Sequence, residues 1–562
     1  MKQILLLSIF VFFGANTNAQ TFDWAKTIGG TGIDNIAAVA KNPTGIYIVG
    51  SFQGTVDFNS GSGVNNLTSN GGTDCFVLKT DFDGNYLWAV SFGGIGNDEA
   101  KSVVSDTSGL LLTGDFSGSV DFNPGSGTNI STSNGGTDIF YLKLSNLGTY
   151  TYHKTIGGTG NDIATKIAFD GVNIPYLVGS FRNTVDFNPD AGVSNLTSIG
   201  VNAFVMKINP SSGGFIWVKD INALSGSTDE SYVYGIDFDS SGNMYLGGNF
   251  KGNVDVNPGA AENANTSISG TKDVFLVKLD NSGAFVWSAF LQSANDNSIT
   301  DLVLDSNNDL VIVGNYNGNV NFNPAGSFVL NSASRFVTFI WKLDVNRNLV
   351  AAGQFESGGA NYCNAVEIDV NNDIYIGGKF RGGMDVDITG VSNVINSSNG
   401  SIYDAYLVKL NSALGHVYSK KLDSSNEDEI KDILINNANV FTFGVFQGTI
   451  DLNPDAATQY VTSNGDYDIF MQRFTDATLS STSFSAVDFQ IYPNPTSSIL
   501  NINTDLNNFN YSIYSIDGKI VRQGNSQINQ TSIDVSSLIS GIYMLDVLTE
   551  NNERSIQKFI KK

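Results

Sequence analysis

Histidine, cysteine and positive charge are all scarce in this chain, and each scarcity removes a class of chemistry. Of 562 residues only two are histidines, His153 and His416. They sit in well-separated parts of the sequence, each expected on an exposed strand position, so a histidine base serving a serine or cysteine nucleophile is not indicated. No Gly-x-Ser-x-Gly elbow precedes a helix either. The two cysteines, Cys75 and Cys363, each occupy a position that other repeats fill with an ordinary residue (Cys75 matches Ile139 and Ala203), and read as small buried hydrophobes rather than as a disulfide pair. Lysine and arginine number 30 against 54 acids, giving a formal net charge of −24. Such a field repels nucleic acid and anionic membrane surfaces. Long apolar runs are missing as well: residues 4–13 are the longest, too short to span a bilayer, and no transmembrane segment is expected.

That short run has its own meaning. It follows Met1-Lys2-Gln3 and leads to Thr17-Asn18-Ala19, a small-residue cleavage site before Gln20. Residues 1–19 therefore read as a secretory signal peptide. No cysteine lies at the cleavage site, so a lipoprotein anchor is not indicated.

What the chain has in quantity is glycine, 60 residues of it, and a phrase that returns. Its clearest form runs Gly-Asp-Phe-Ser-Gly-Ser-Val-Asp-Phe-Asn-Pro over residues 114–124. The marker acid recurs as Asp57, Asp121, Asp186, Asp255, Asn321, Asp385 and Asp451, at spacings of 64 to 69 residues. A period of this size marks a supersecondary unit rather than a catalytic motif. Each unit reads as four short strands with no helix: in the second, residues 100–105, 110–116, 138–144 and 150–156, with Asp106 to Gly109 as a tight turn. A long Gly/Ser/Asn-rich excursion separates the second strand from the third. The fourth strand carries a large residue at one register (Trp24, Trp88, Tyr152, Trp217, Trp287 and Tyr418, with Ala351 the exception), a column expected to pack between sheets.

The ends of the repeat region fit together. A spare fourth strand, residues 22–28, precedes the first unit, and the last unit stops after its third strand at Phe474. A ring satisfies both ends, because the N-terminal strand completes the last sheet. The expected fold is all-β: a seven-bladed β-propeller over residues 20–475, closed by the N-terminal strand. An open solenoid would need capping repeats, and none is evident. A Ser/Thr linker, 476–487, follows, and then residues 488–562 show about seven short alternating stretches, expected to form a small β-sandwich.

Two resemblances rest on these residues. The string Ile-Tyr-Ile-Val-Gly-Ser-Phe-Gln-Gly-Thr-Val-Asp-Phe-Asn at 46–59, with 74–78 and Leu87-Trp88-Ala89, resembles the bacterial seven-bladed propeller repeat called SBBP, over about residues 22–475. It implies the fold and little about function. The tail is similar to the type A C-terminal sorting domain of the type IX secretion system of Bacteroidetes. The matching residues are Tyr492-Pro493-Asn494-Pro495, Asp517-Gly518-Lys519, Leu538, Gly541-Ile542-Tyr543 and the closing Lys558 to Lys562. That resemblance implies the secretion translocon and its shuttle as partners, and a secreted or outer-surface destination reached through the periplasm.

In a four-stranded blade, the marker excursions and the connectors between units emerge on one face. The connectors supply Asp34, Asp98, Asp162, Asp229 and Asp428, with Asn361 in another copy. Two readings of these carboxylates compete. In one, each fixes a turn by accepting loop amides, which Asn321 could do equally well. In the other, pairs drawn from Asp57, Asp121, Asp186, Asp255, Asp451, Asp34, Asp98 and Asp162 bind Ca²⁺. No other cofactor is indicated. Sevenfold repetition makes like environments, whereas glycoside hydrolysis needs two unlike carboxyls. The Gly-Gly-Thr-Gly connectors lack a Lys-Ser/Thr end and open no helix, so they are not phosphate loops. The expected role is non-catalytic binding or adhesion, with a glycan or surface protein as ligand. The rival is a polysaccharide hydrolase or lyase with a channel site, sought at the repeat-breaking Arg335, Trp341, Ala351, Asp387 and Ile388.

Overall fold

The computed structural model describes residues 20–224, 226–333, 335–455, 457–477, 489–504, 509–515, 519–526, 530–549 and 554–562. The signal segment 1–19, linker residues 478–487, and Asp517 and Gly518 of the tail motif lie outside the described residues. The chain divides into two compact units, Met1–Asp476 and Ala477–Lys562.

The first unit is built from antiparallel sheets of one plan, each with four core strands in meander order. Sheet 1 comprises Asn35–Asn42, Gly45–Phe52, Asp74–Thr80 and Tyr86–Phe92. Sheets 2 to 6 repeat this, with first strands Glu99–Asp106, Ile163–Phe169, Glu230–Phe238, Asn297–Leu304 and Asn361–Ile368. Sheet 7 takes Asp428–Asn436, Asn439–Phe446 and Asp468–Asp476 from the end of the unit and Gln20–Ile28 from its beginning. The N-terminal strand pairs with Asp468–Asp476 from Gln20↔Asp476 to Ile28↔Ile469. First strands of successive sheets lie against one another, and Asp428–Asn436 lies against Asn35–Asn42 in turn.

Strand character explains the burial. Second and third strands are continuous apolar runs such as GIYIVGSF and DCFVLKT, buried along their whole length because a neighbouring sheet covers each face. First and fourth strands alternate. The core clusters cross sheet boundaries: Ile36, Ile48 and Phe76 of sheet 1 pack with Leu434, Phe441 and Met471 of sheet 7. Cys75 and Cys363 are buried free thiols in separate clusters.

The aromatic column works between sheets. A Cβ on the turn glycine of the next sheet would fall within 2.4–2.9 Å of the ring, as Gly84 does on Trp24, Gly148 on Trp88 and Gly213 on Tyr152. These glycines also have φ of 67–74°. In sheet 5 the ring is replaced by Ala351, and the matching turn position of sheet 6 is Leu414, which keeps the left-handed backbone (φ 67°) and is buried in the cluster against which Ala351 packs. A large residue has moved from strand to turn.

The long excursion is more ordered than its composition suggests. In every copy it begins with a short hairpin, such as Thr55–Asp57 against Asn66–Thr68 or Thr449–Asp451 against Tyr460–Thr462. Three of these hairpins also pair with an extension of the preceding fourth strand, at Ala223↔Val254, Ser357↔Met384 and Ser424↔Ile450. Three-residue strands of Thr, Val and Asp carry too little period to be seen in the sequence.

Among its described residues the second unit has seven strands in two sheets. Phe489–Tyr492, Ile499–Thr504 and Gln530–Asp534 form one; Ile520–Ser526, Phe509–Ser515, Gly541–Thr549 and Arg554–Lys561 form the other. Phe489, Leu500, Ile502 and Ile533 from the first meet Ile513, Leu545, Val547 and Phe559 from the second in a single core.

Candidate functional site

The marker carboxylates are engaged by their own loops. Asp57 Oδ1 accepts the amides of Asn59 and Asn65, and the same pair of bonds, to the residues two and eight positions on, recurs at Asp121, Asp186, Asp255, Asp385 and Asp451, at 2.7–3.2 Å. Asn321 makes equivalent bonds through its amide oxygen, to Asn323 and Phe328. A neutral residue serving the same geometry fits an Asx turn.

The connector acids sit deeper, and the structure does not join them to the marker acids. Asp34, Asp98 and Asp162 are buried and accept the amides of Gly30, Gly94 and Gly158. Each lies beside the aspartate that opens the preceding third strand, because its amide donates to the carbonyl just before that aspartate: Asp34 to Tyr467, Asp98 to Thr73, Asp162 to Thr137. The facing acids are thus Asp468, Asp74 and Asp138, which the sequence reading passed over. Burial, together with the facing carboxylate, raises Asp34 to about 7 and Asp74 and Asp138 to about 6; burial raises Asp468 to about 6. The two connector glycines make the room. A Cβ on Gly29, Gly93 or Gly157 would strike the carboxylate of Asp468, Asp74 or Asp138, and one on Gly30, Gly94 or Gly158 would strike the carbonyl of the next hairpin. In sheet 4 the equivalent place is taken by Ser231 rather than Asp229: Ser231 donates to Val201 O, and its Oγ accepts the Ala203 amide, as Asp428 accepts that of Ala405.

A cavity of about 490 Å³ lies where the first strands meet. Four lysines and four acids line it: Lys41, Lys101, Lys166 and Lys431 with Asp237, Asp301, Glu367 and Asp432. Lys166 pairs with Asp301 across two sheet boundaries. Asp432 accepts the amide of Val39 at 2.8 Å and Asp237 that of Leu304 at 2.7 Å, so both acids tie a first strand to its neighbour. The Glu367 carboxyl has no hydrogen bond to a described residue; burial and then Asp432 push it up to about 8. Burial raises Asp432 to about 7.

The departures singled out in the sequence do not gather in this cavity. Trp341 is buried and donates Nε1–H to Phe322 O; Arg335 donates to Ser357 O; Asp387 caps Thr389; Ile388 and Ala351 pack on a core cluster. Neither histidine is an exposed strand residue. His153 is half-buried, stacked on Phe122 at 4.5 Å and bonded to Ser131 and Tyr150, and His416 is half-buried against Asn393. Burial lowers both below the usual imidazole value. Among the described residues no group of three or more His, Cys, Asp or Glu converges on a metal position.

In the tail, the Pro-Asn-Pro motif fastens the last strand. Asn494 donates to Lys558 O at 3.0 Å and accepts from the Ile560 amide at 2.9 Å, and Thr496 exchanges backbone bonds with Ile560 and Lys562. Pro493 and Pro495 flank it, exposed and each after a cis peptide bond. Gly541 pairs with Lys561, and Tyr543 stacks on Phe559 and donates to Ile539 O. Lys519 is exposed, with its carbonyl accepting the Ser515 amide. Asn494, Thr496, Gly541 and Tyr543 thus meet the strand Arg554–Lys561, while Lys519 adjoins the strand at the other edge of the sheet.

By architecture, then, this is an all-β protein of repeated four-stranded sheets carrying a terminal β-sandwich. Residues 490–562 match the secretion system C-terminal sorting domain. A type IX sorting domain of this kind directs secretion to the cell surface and implies engagement with that secretion machinery. No helix among the described residues is long and apolar enough to cross a membrane. The chain is 22% identical over 549 residues to an uncharacterized WD repeat-containing protein of Acanthamoeba polyphaga mimivirus, covering 82% of this chain and 39% of that protein. It is 24% identical over 282 residues to the regulatory protein FlaEY of Caulobacter vibrioides, covering 46% of this chain and 27% of that one. The chain thus spans less than half the length of the curated relatives it matches. Among solved structures it is similar to PorZ, a surface component of the type IX secretion system of Porphyromonas gingivalis (11% identity, 96% of this chain and 100% of that one, TM-score 0.23). It is also similar to a protein of unknown function from Bacteroides caccae (10% identity, 62% and 89%, TM-score 0.30). Both TM-scores lie below 0.5, so neither structure bears on what this chain binds.

Proposed function

We propose that the protein is a non-catalytic binding module of the cell surface, a propeller of seven blades whose ring is closed by Gln20–Ile28. The pairing of that strand with Asp468–Asp476 and the contact of first strands from sheet 7 to sheet 1 support the ring. The observation that carries the functional reading is the engagement of the recurring marker acids by backbone amides, which leaves no repeated nucleophile and base. What the hairpins present to solvent is neutral and hydrogen-bonding: the paired hydroxyls Thr55/Thr68, Ser119/Thr132, Thr184/Thr197 and Thr449/Thr462. Such a surface suits a neutral glycan, with a surface protein as the other candidate ligand. Retention of the mature protein on a polysaccharide panel without release of reducing ends is the expected result; release of ends would refute it.

One observation favours the rival. Glu367, protonated near neutrality in a polar cavity that also holds the Lys166–Asp301 ion pair, has the kind of distinct environment a hydrolase or lyase requires of one of its two carboxyls. Glu367→Gln would abolish any activity found on the panel, whereas a pure binder retains its ligand. For export, a chain lacking residues 488–562 is expected to remain in the periplasm, and surface display without them would defeat that part of the reading.

A further inference from the structure

One junction between sheets differs from four others in a single side-chain atom. Between sheets 4 and 5, Asp273 faces Asn297, whose Nδ2 donates to Asp273 Oδ1 at 3.0 Å. Two further junctions use neutral groups at the connector position, Ser231 and Asn361. The remaining four bring two aspartates together: Asp74 with Asp98, Asp138 with Asp162, Asp404 with Asp428, and Asp468 with Asp34. In all four, Oδ1 of the third-strand aspartate, the atom that Asn297 serves at the neutral junction, is buried without a hydrogen-bond partner. A buried carboxylate oxygen left bare is costly. The packing is also close: a Cβ on Gly29, Gly93 or Gly157 would come within 2.0–2.4 Å of the carboxyl carbon of Asp468, Asp74 or Asp138. That leaves little space for the six to eight oxygen ligands a calcium ion takes.

We propose that each of these four junctions holds one proton shared by its two aspartates, an O–H···O bond standing where the Asn297 amide stands at its neutral counterpart. All eight acids are shifted upward, with burial as the first cause. Other charged or titratable groups face two of the sites. Asp115, Glu99, Lys101 and the Cys75 thiol surround Asp74 and Asp98, and Asp423 and Lys421 flank Asp404 and Asp428. Around Asp34/Asp468 and Asp138/Asp162 the resolved influences are burial, the facing acid and hydrogen-bond donors, so these two are the cleaner test. The sign follows from linkage. A carboxyl whose folded value lies above its unfolded one near 4 binds the proton better when folded, so stability falls as pH rises from about 4 through about 6 to 7, then levels.

The test is the melting temperature of the full chain between pH 5 and pH 8, with and without calcium or EDTA. The wild type should lose several degrees over that interval. Asp34→Asn and Asp162→Asn, copying the Asn297 arrangement, should each shrink the loss, and Asn297→Asp, creating a fifth double-acid junction, should enlarge it. The infrared band of protonated carboxyl at pH 6 should weaken in Asp34→Asn, which keeps a readout should melting prove irreversible. Equal pH slopes in all four proteins, or calcium restoring the pH 5 melting temperature at pH 8, would overturn the proposal.

Discussion

A lysine near the end of the third strand recurs in sheets 1 to 6, and its partners change at the last of them. In sheet 1, Lys79 donates to Thr44, to the Tyr47 hydroxyl and to the carbonyl of Asn146 in the next sheet's turn. In sheet 6, the next sheet has no such turn, because sheet 7 is made from two distant pieces. Asp476 stands there instead. Lys409, fully buried, lies 3.2 Å from Asp476, 3.3 Å from Asp369 and 3.1 Å from Asp373, and Asp476 also accepts the hydroxyls of Tyr375 at 2.8 Å and Tyr418 at 3.0 Å. Replacing Lys409 with methionine keeps the volume and strands Asp369 and Asp476 as buried charges; breaking such a pair costs about 3–5 kcal/mol. Lys79→Met removes the charge from a site whose partners are hydroxyls and a carbonyl, a loss of about 1–3 kcal/mol. All five tryptophans, Trp24, Trp88, Trp217, Trp287 and Trp341, lie in the first unit, so fluorescence in urea follows that unit within the intact chain. The Lys409 variant should unfold at clearly lower urea than the Lys79 variant. Equal midpoints, or a Lys409 loss under about 1 kcal/mol, would refute a stabilising role for the Lys409–Asp369–Asp476 cluster.

Two further outcomes follow from the packing and the loops. Leu414→Gly should cost about 2–4 kcal/mol by opening a cavity beside Ala351, measured by urea denaturation, and a loss near zero would show that the turn does not fill that space. Asp57→Ala should cost about 1–2 kcal/mol through two orphaned amides while Asp57→Asn costs little, with EDTA leaving the melting temperature of either unmoved. A calcium-dependent difference between Asp57→Asn and wild type would instead mark the hairpin loop as a cation site.

The repeat made much of this architecture legible. Apolar second and third strands and turn glycines carry short-range signals, and among the described residues the strands fall where those signals placed them, including seven in the tail. The junction pairs were hidden because their two halves come from different repeats, and in the case of Asp34 and Asp468 from opposite ends of the first unit, and neither half is unusual alone. The recurrence of an aspartate at the head of five of the seven apolar third strands, Asp74, Asp138, Asp273, Asp404 and Asp468, was the available sign. Ser231 escaped because additional residues ahead of it shift the register and leave Asp229 in the decoy position. Charges on the first strands, such as Lys166 and Glu367, sit at positions where other repeats hold Ala, Ser or Asp, so only the spatial arrangement unites them. The histidines read as exposed because strand alternation says nothing of a hairpin folding over one face, and Phe122 covers His153 from that hairpin's end.

Closure of the ring can be tested by one covalent bond. Thr21 and Thr475 face each other across the pairing of the N-terminal strand with the last third strand. In a Thr21→Cys, Thr475→Cys chain, oxidation should give an intramolecular disulfide in high yield and raise the urea midpoint of the tryptophan transition. Failure to form that bond within one chain, or its appearance only between chains, would contradict the closed ring.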